Sequence, residues 1–223
     1  MDLEKTYNIL FNHFGPQGWW PIVDIEKNKA VYNKNFPYQE RSSFEKFEIS
    51  IGAILTQNTK WTNVVKAIIN LKNNDCFTIH KLKKIHIDDL AILIKPSGYY
   101  IQKAKKIKIF IESDINISRN NLLSLWGIGE ETADSILLYG YNLPFFIIDN
   151  YTKRIMNRLF SIQLSKYSQY QSLITSLIKN KYYIYNEFHA LFVILGKTVC
   201  SKNKPKCHLC PLSFFCKYKQ LTK

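Results

Sequence analysis

Leu125-Trp126-Gly127-Ile128-Gly129-Glu130-Glu131-Thr132-Ala133-Asp134 decides how the rest of the chain is read. Gly127 and Gly129 stand two apart in a turn between two stretches of helical character. Glycine takes positive φ freely, so such a turn leaves the backbone N–H groups of Gly127, Ile128 and Gly129 bare, and the start of the next helix adds its dipole. The result is an anion site of phosphate size. Glycines also end helices, so the turn alone is a weak signal. Sixteen residues beyond Ala133 stands Asp149, within Phe145-Phe146-Ile147-Ile148-Asp149-Asn150-Tyr151. An aspartate directly after an apolar run and before a helix is an N-cap. A cap carboxylate that faces a cleft can also be catalytic.

Outward from this turn the pattern is helical almost everywhere. Phe47, Ile51, Ile54 and Leu55 fall on one face of a helix, and Val64, Val65, Ile68, Ile69 and Leu71 repeat the spacing. Lys103 to Phe110 mixes basic and apolar positions in the manner of a half-exposed helix. Further helices are expected over Glu131–Tyr139, Tyr151–Phe160, Tyr167–Asn180 and Glu187–Val199. Pro96-Ser97-Gly98, Asn142-Leu143-Pro144 and Ser161-Ile162-Gln163 read as turns. Strand-like alternation is short and isolated.

The chain of 223 residues carries 31 Lys+Arg against 17 Asp+Glu, a formal net charge of +14, with 46% hydrophobic residues. That is enough apolar material for a core and excludes a largely disordered protein. No apolar run reaches the ~18–20 residues a membrane span needs. Met1-Asp2-Leu3-Glu4-Lys5 shows no basic segment leading into an apolar one, so no secretory signal is expected. A cytoplasmic location follows, in a prokaryotic cell and close to the nucleoid. The charge favours an anionic partner, nucleic acid first.

In a reducing compartment the cysteines read as ligands rather than disulfides. Cys200, Cys207, Cys210 and Cys216 are spaced C-x6-C-x2-C-x5-C near the C-terminal end. Four thiolates so close call for a shared positive centre. Structural zinc sites usually show two C-x2-C pairs, and only Cys207–Cys210 is one here, so the spacing fits a [4Fe–4S] cluster better than zinc. Lys202, Lys204 and Lys206 lie between the first two ligands, either as a solvated connector or as a rigid phosphate grip. Cys76 stands apart and reads as a small buried apolar residue.

Taken together, the Gly127–Gly129 hairpin, Asp149 and the cysteine set resemble, in order and separation, the helix-hairpin-helix DNA glycosylases of the endonuclease III superfamily. The resemblance runs from about Phe44 to Cys216. Trp19-Trp20-Pro21, Leu55-Thr56-Gln57-Asn58-Thr59 and Pro96-Ser97-Gly98-Tyr99-Tyr100-Ile101-Gln102-Lys103-Ala104-Lys105 look like the 3-methyladenine glycosylase III branch. Members of that branch often lack the cysteine set that this chain has. The resemblance implies an all-α fold of two helical domains flanking a DNA-binding cleft. A six-helix barrel domain with the hairpin would cover 45–143. A discontinuous helical domain, 1–44 with 144–223, would hold the cluster.

It also implies roles. Asp149 would be the carboxylate that stabilises an oxocarbenium-like transition state as the N-glycosidic bond breaks. Trp19 or Trp20, with Phe47, would form an aromatic wall against a base flipped out of the duplex. The alternative for Trp19 and Trp20 is packing between the two domains, and for Phe47 a place on its helix's apolar face. Glu131 stands where lyase members of the family carry a lysine, and a carboxylate cannot form the Schiff base that β-elimination needs. Glu131 then either faces the pocket or simply favours the helix dipole. Adenine-mismatch members have a glutamate where this chain has Ala53. Gln57 either fills the gap a flipped nucleotide leaves or caps a helix end, and Lys153 is a phosphate contact. His80, His86, His189 and His208 fall in no ligand or triad spacing. The expected protein is a monomeric, monofunctional alkylpurine DNA glycosylase acting on damaged double-stranded DNA. The rivals are a mismatch or oxidised-base glycosylase, an endonuclease III-like enzyme with lyase activity, and a non-catalytic DNA-binding hairpin protein.

Overall fold

A computed structural model describes residues 1–35 and 38–221. In chain order its elements are α1 (Leu3–Phe14), β1 (Ile22–Asp24), β2 (Lys29–Val31), α2 (Ser43–Thr56), α3 (Trp61–Asn73), α4 (Ile79–Lys84), α5 (Ile87–Leu93), α6 (Tyr100–Glu112), α7 (Arg119–Ser124), α8 (Glu130–Ser135), α9 (Asn150–Phe160), α10 (Tyr167–Thr175), α11 (Tyr182–Thr198) and α12 (Lys217–Leu221). A π turn, Ile136–Gly140, continues α8. The fold is all-α, as the periodicity predicts. β1 and β2 form one short antiparallel ribbon with Ile22 opposite Val31. Strands of three residues are too short to show an alternation in sequence. No helix among the described residues is long and apolar enough to cross a membrane.

The chain divides into two compact units. One comprises Met1–Trp19, Asn33–Gln39 and Asn142–Lys223, the other Trp20–Tyr32 and Glu40–Tyr141. In the second, α2 is the central rod. Ser42 and Glu45 start it with reciprocal hydrogen bonds, Glu45 N to Ser42 Oγ at 3.2 Å and Ser42 N to Glu45 Oε2 at 2.8 Å. The sequence shows one apolar face, yet every residue from Phe47 to Leu55 is buried. The reason is that Ser50, Gly52 and Ala53 close the other side with small groups. A Cβ at Gly52 would stand 3.2 Å from Trp20 Nε1, so the indole occupies the space that glycine leaves. Glu48, also buried, receives Val23 N at 2.6 Å and pairs with Lys72 Nζ at 2.6 Å, which ties the ribbon and α3 to α2. Lys103 lies inside rather than on the exposed side of its helix. Its ammonium donates to Leu55 O and Ser97 O, both at 2.7 Å, closing the end of α2, and burial lowers its pKa to about 8.

In the first unit α11 is the central helix, buried continuously from Tyr185 to Phe192 and packed on α1 and α9. It begins five residues before the expected Glu187, while α10 stops at Thr175 rather than Asn180. Helices α9 and α11 meet at Gly196. A Cβ there would collide with Tyr151 Cδ1 and lie 3.0 Å from Arg154 Nη2.

Candidate active site and nucleic-acid interface

Asp149 ends the buried run Phe146-Ile147-Ile148 and starts α9. Its Oδ1 accepts from Thr152 N at 2.7 Å, the N-cap bond expected from its place in the sequence. Its Oδ2 lies 3.5 Å from His189 Nε2 on α11. Asp149 is only 9% exposed. Burial pushes its carboxyl pKa up, but the His189 hydrogen bond and charge, with Thr152, more than offset it, so the group stays below the usual carboxylate range and is ionised. His189 is itself buried, with the Phe146 ring edge-on at 6.4 Å. Sequence reading gave His189 no role. The available signal was an imidazole inside the apolar run Phe188 to Leu195, but its partner is forty residues away.

Trp19 belongs to the same unit and is half-buried, with Lys197 Nζ 5.5 Å over its ring. The other two rings expected in a pocket wall are built into the core of the second unit. Trp20, 4% exposed, packs against Gly52, Trp61 at 5.2 Å and Tyr139 at 5.5 Å, which leaves it no face for a base. Phe47 is buried against Phe77 at 5.3 Å. For these two the packing reading describes the structure.

The hairpin turn takes up one positive φ, not two. Gly127 has φ 82°, whereas Gly129, at φ −93°, is the residue before α8. Contrary to the expectation of a bare N–H, Ile128 N donates to Leu125 O at 3.1 Å, and the Ile128 side chain is buried, because the tight turn closes on itself. Trp126 at the tip is 56% exposed, a feature that the glycines overshadow in the sequence. Arg119 braces the two hairpin helices, with Nε to Asp134 Oδ1 at 2.7 Å and Nη2 to Glu130 Oε1 at 3.3 Å. Gln57, at the end of α2, is committed to the same turn. Its Nε2 donates to Gly127 O at 3.0 Å and Thr132 Oγ1 at 2.9 Å, and its Oε1 accepts from Lys106 Nζ. It is the residue that ends α2, as one of its two expected readings has it, and its side chain is a strut to the turn rather than a free gap-filler. Glu131 is exposed on the first turn of α8.

Cys200, Cys207, Cys210 and Cys216 line one cavity together with Arg158 and Tyr218. Burial, and then the field of the other three thiols, push the Cys210 thiol up to about 11, so all four lie within electrostatic reach of one another. Among the described residues no three His, Cys, Asp or Glu side chains group as ligands of a single metal ion. Two arginines of α9 hold the loop. Arg154 Nε donates to Cys200 O at 3.0 Å, and Arg158 donates to Cys200 Sγ at 3.4 Å, Ser201 O at 2.7 Å and Lys202 O at 2.7 Å. Lys202, Lys204 and Lys206 are exposed, and Lys153 is half-buried on the first turn of α9. Cys76 is half-buried rather than buried, its Sγ donating to Asn74 O at 3.1 Å.

Comparison with known proteins places this geometry. Residues 51–180 match the HhH-GPD superfamily of base excision DNA repair proteins. A Methanocaldococcus jannaschii protein named as a DNA repair glycosylase is 37% identical, over 95% of this chain and 94% of its own. Endonuclease III of Thermotoga maritima is 28% identical over 87% of this chain and 92% of its own. Among solved structures, the H. pylori 3-methyladenine DNA glycosylase bound to 1,N6-ethenoadenine is 26% identical with a TM-score of 0.67, covering 88% of this chain and 98% of that one. A non-covalent endonuclease III–DNA complex shares the fold at a TM-score of 0.78 and 16% identity, over 99% of this chain and 96% of that one.

Proposed function

This chain belongs to the HhH-GPD superfamily of base excision DNA repair proteins and is a DNA glycosylase, and from that premise we propose that it hydrolyses the N-glycosidic bond of alkylated purines without cutting the strand. The observation that carries the chemistry is Asp149, a buried carboxylate held ionised at the start of α9. As the bond to the base lengthens, the sugar gains oxocarbenium character, and an adjacent negative charge stabilises it. The base leaves with the bonding electron pair. Water adds to the anomeric carbon and its proton passes to the carboxylate or to solvent. A purine alkylated on a ring nitrogen leaves as a neutral base, so no strong general acid is required. The likeness to the 3-methyladenine glycosylase supports this substrate class. Trp19, the candidate ring in the unit that holds Asp149, serves as the stacking surface.

Strand cleavage needs an amine that forms a Schiff base. By resemblance the lyase lysine would stand at Glu131, and a carboxylate lacks that chemistry. The relation to endonuclease III favours the opposite reading, an enzyme with lyase activity. One experiment separates them. A panel of duplexes with defined lesions is assayed for base release and, separately, for strand breaks before and after alkali, with borohydride added in parallel. We expect release of 3-methyladenine-type bases, breaks only after alkali, and no trapped adduct. Borohydride trapping of a covalent adduct would overturn the monofunctional assignment, with Lys153 the first residue to examine.

DNA is the partner the chain suits: a net charge of +14, exposed lysines at 202, 204 and 206 in one unit, and, in the other, the Gly127–Gly129 turn each address phosphates. We place the protein in the cytoplasm, acting on duplex DNA as a monomer. The four thiols around one cavity, with Arg158 against Cys200 Sγ, fit a [4Fe–4S] cluster held by Cys200, Cys207, Cys210 and Cys216. Such a cluster would fix the loop that carries the three lysines and would take no part in bond breaking. The purified protein should be brown, with broad absorption near ~400 nm and about four iron atoms per chain. A colourless protein with one bound zinc would overturn the cluster.

A further inference from the structure

The Asp149 carboxylate is hydrogen-bonded at one oxygen by its own helix and faced at the other by an imidazole from a second helix. Thr152 N holds Oδ1 at 2.7 Å, as any N-cap would arrange. The other oxygen faces an imidazole from α11, His189 Nε2, at 3.5 Å. A histidine is costly in a buried helix of Phe188, Ala190, Leu191 and Phe192 unless its polar atoms have work to do. Contacts on two sides place its ring. Phe146 sits edge-on at 6.4 Å with an interplanar angle of 86°, and Asp149 lies at the Nε2 end.

We propose that His189 is the positioning residue of Asp149, its imidazole setting the orientation of Oδ2 toward the sugar cation. The inference rests on the catalytic reading of Asp149 and adds a residue to it. A carboxylate hydrogen-bonded at one oxygen can still swing about its Cβ–Cγ bond; an imidazole facing the other oxygen favours one orientation. Fixed orientation of that kind is where electrostatic stabilisation gains its strength, because no reorganisation is needed during the reaction. Among the described residues, further groups that bear on Asp149 are on the same two helices. Tyr151 and Thr152 come from α9, and Lys197 from α11 feels the Asp149 charge. Neither tyrosine nor threonine supplies a cation, and Lys197 Nζ is engaged over Trp19.

The test compares wild type, His189→Phe, His189→Gln and Asp149→Asn on the lesion duplex that the wild type processes fastest. Single-turnover base release is read from acid to neutral pH, alongside affinity for the same duplex. Phe fills the site but donates nothing, and Gln keeps a donor close to the Nε2 position. We expect His189→Phe to lower the maximal rate by about tenfold or more with affinity changed less than about twofold. Its acid limb should move to higher pH, because the interaction that holds the Asp149 carboxyl down is gone. His189→Gln should recover most of the maximal rate. Should His189→Phe fail to fold, His189→Gln and His189→Ala carry the same contrast. Equal losses in the Phe and Gln proteins, or an unmoved acid limb, would reduce His189 to packing while leaving Asp149 catalytic. Full activity in Asp149→Asn would remove the catalytic reading of Asp149, and this inference with it.

Discussion

Asp149→Asn should lower single-turnover base release by about a hundredfold or more, a loss of about 3 kcal/mol in transition-state stabilisation. Affinity for lesion DNA should stay within about twofold. The substitution is matched to the site. An amide oxygen can still accept from Thr152 N, now at 2.7 Å, so the start of α9 survives. What disappears is the negative charge opposite the sugar cation. The charge has a second signature, in stability. The Asp149 carboxyl is held below the usual range in the fold, so it contributes stability above the ordinary carboxylate pKa. That contribution is lost as pH falls through the lower, folded value. Melting curves across acid pH should therefore show the wild type losing an advantage that the Asn protein never had. An Asn protein with wild-type rates would reduce Asp149 to a helix cap.

Gly196→Ala should be nearly as damaging, although it removes no charged group. The added methyl collides with the Tyr151 ring and presses on Arg154, where α9 and α11 touch. Overpacking of this kind costs about 1–3 kcal/mol, and each kcal/mol lowers Tm by roughly 2–4 °C in a chain of this size. The larger effect is on rate. Asp149 sits at the start of α9 and His189 two turns before Gly196 on α11, so moving the helices apart moves the pair apart. A displacement of about 1 Å is worth up to a hundredfold in catalysis, and we expect a loss of ten- to a hundredfold here. Gly129→Ala is the control for stability: a Cβ there meets open space, and φ is −93°. Equal melting temperatures for Gly196→Ala and wild type would show that Tyr151 swings aside at no cost.

These two predictions mark what the sequence discloses and what it withholds. The Asp149 cap was legible because its partner is three residues away. So were the helices with a clear apolar face and the Gly127 turn. His189 was passed over because the contact that gives it meaning closes a gap of forty residues. Gln57 does end α2, but the sequence gives no hint that its amide reaches seventy residues along the chain to Gly127. α2 shows one apolar stripe, and its complete burial comes from what small residues admit, as Gly52 admits Trp20. That same packing took Trp20 out of the expected pocket. The cysteine spacing was plain, but nothing in it announced that Arg154 and Arg158 of α9 would hold the loop.

The bracing of the hairpin bears on how such an enzyme patrols a chromosome. Arg119 locks Glu130 and Asp134, and Gln57 with Lys106 anchors Gly127, so the turn is already shaped before any duplex arrives. A grip that needs no folding engages and lets go quickly, since little order is gained or lost at each step. On the proposed DNA-binding role of the turn, undamaged tracts would be sampled in brief visits, and the slow event in the search would be the extrusion of a base rather than the making of a foothold.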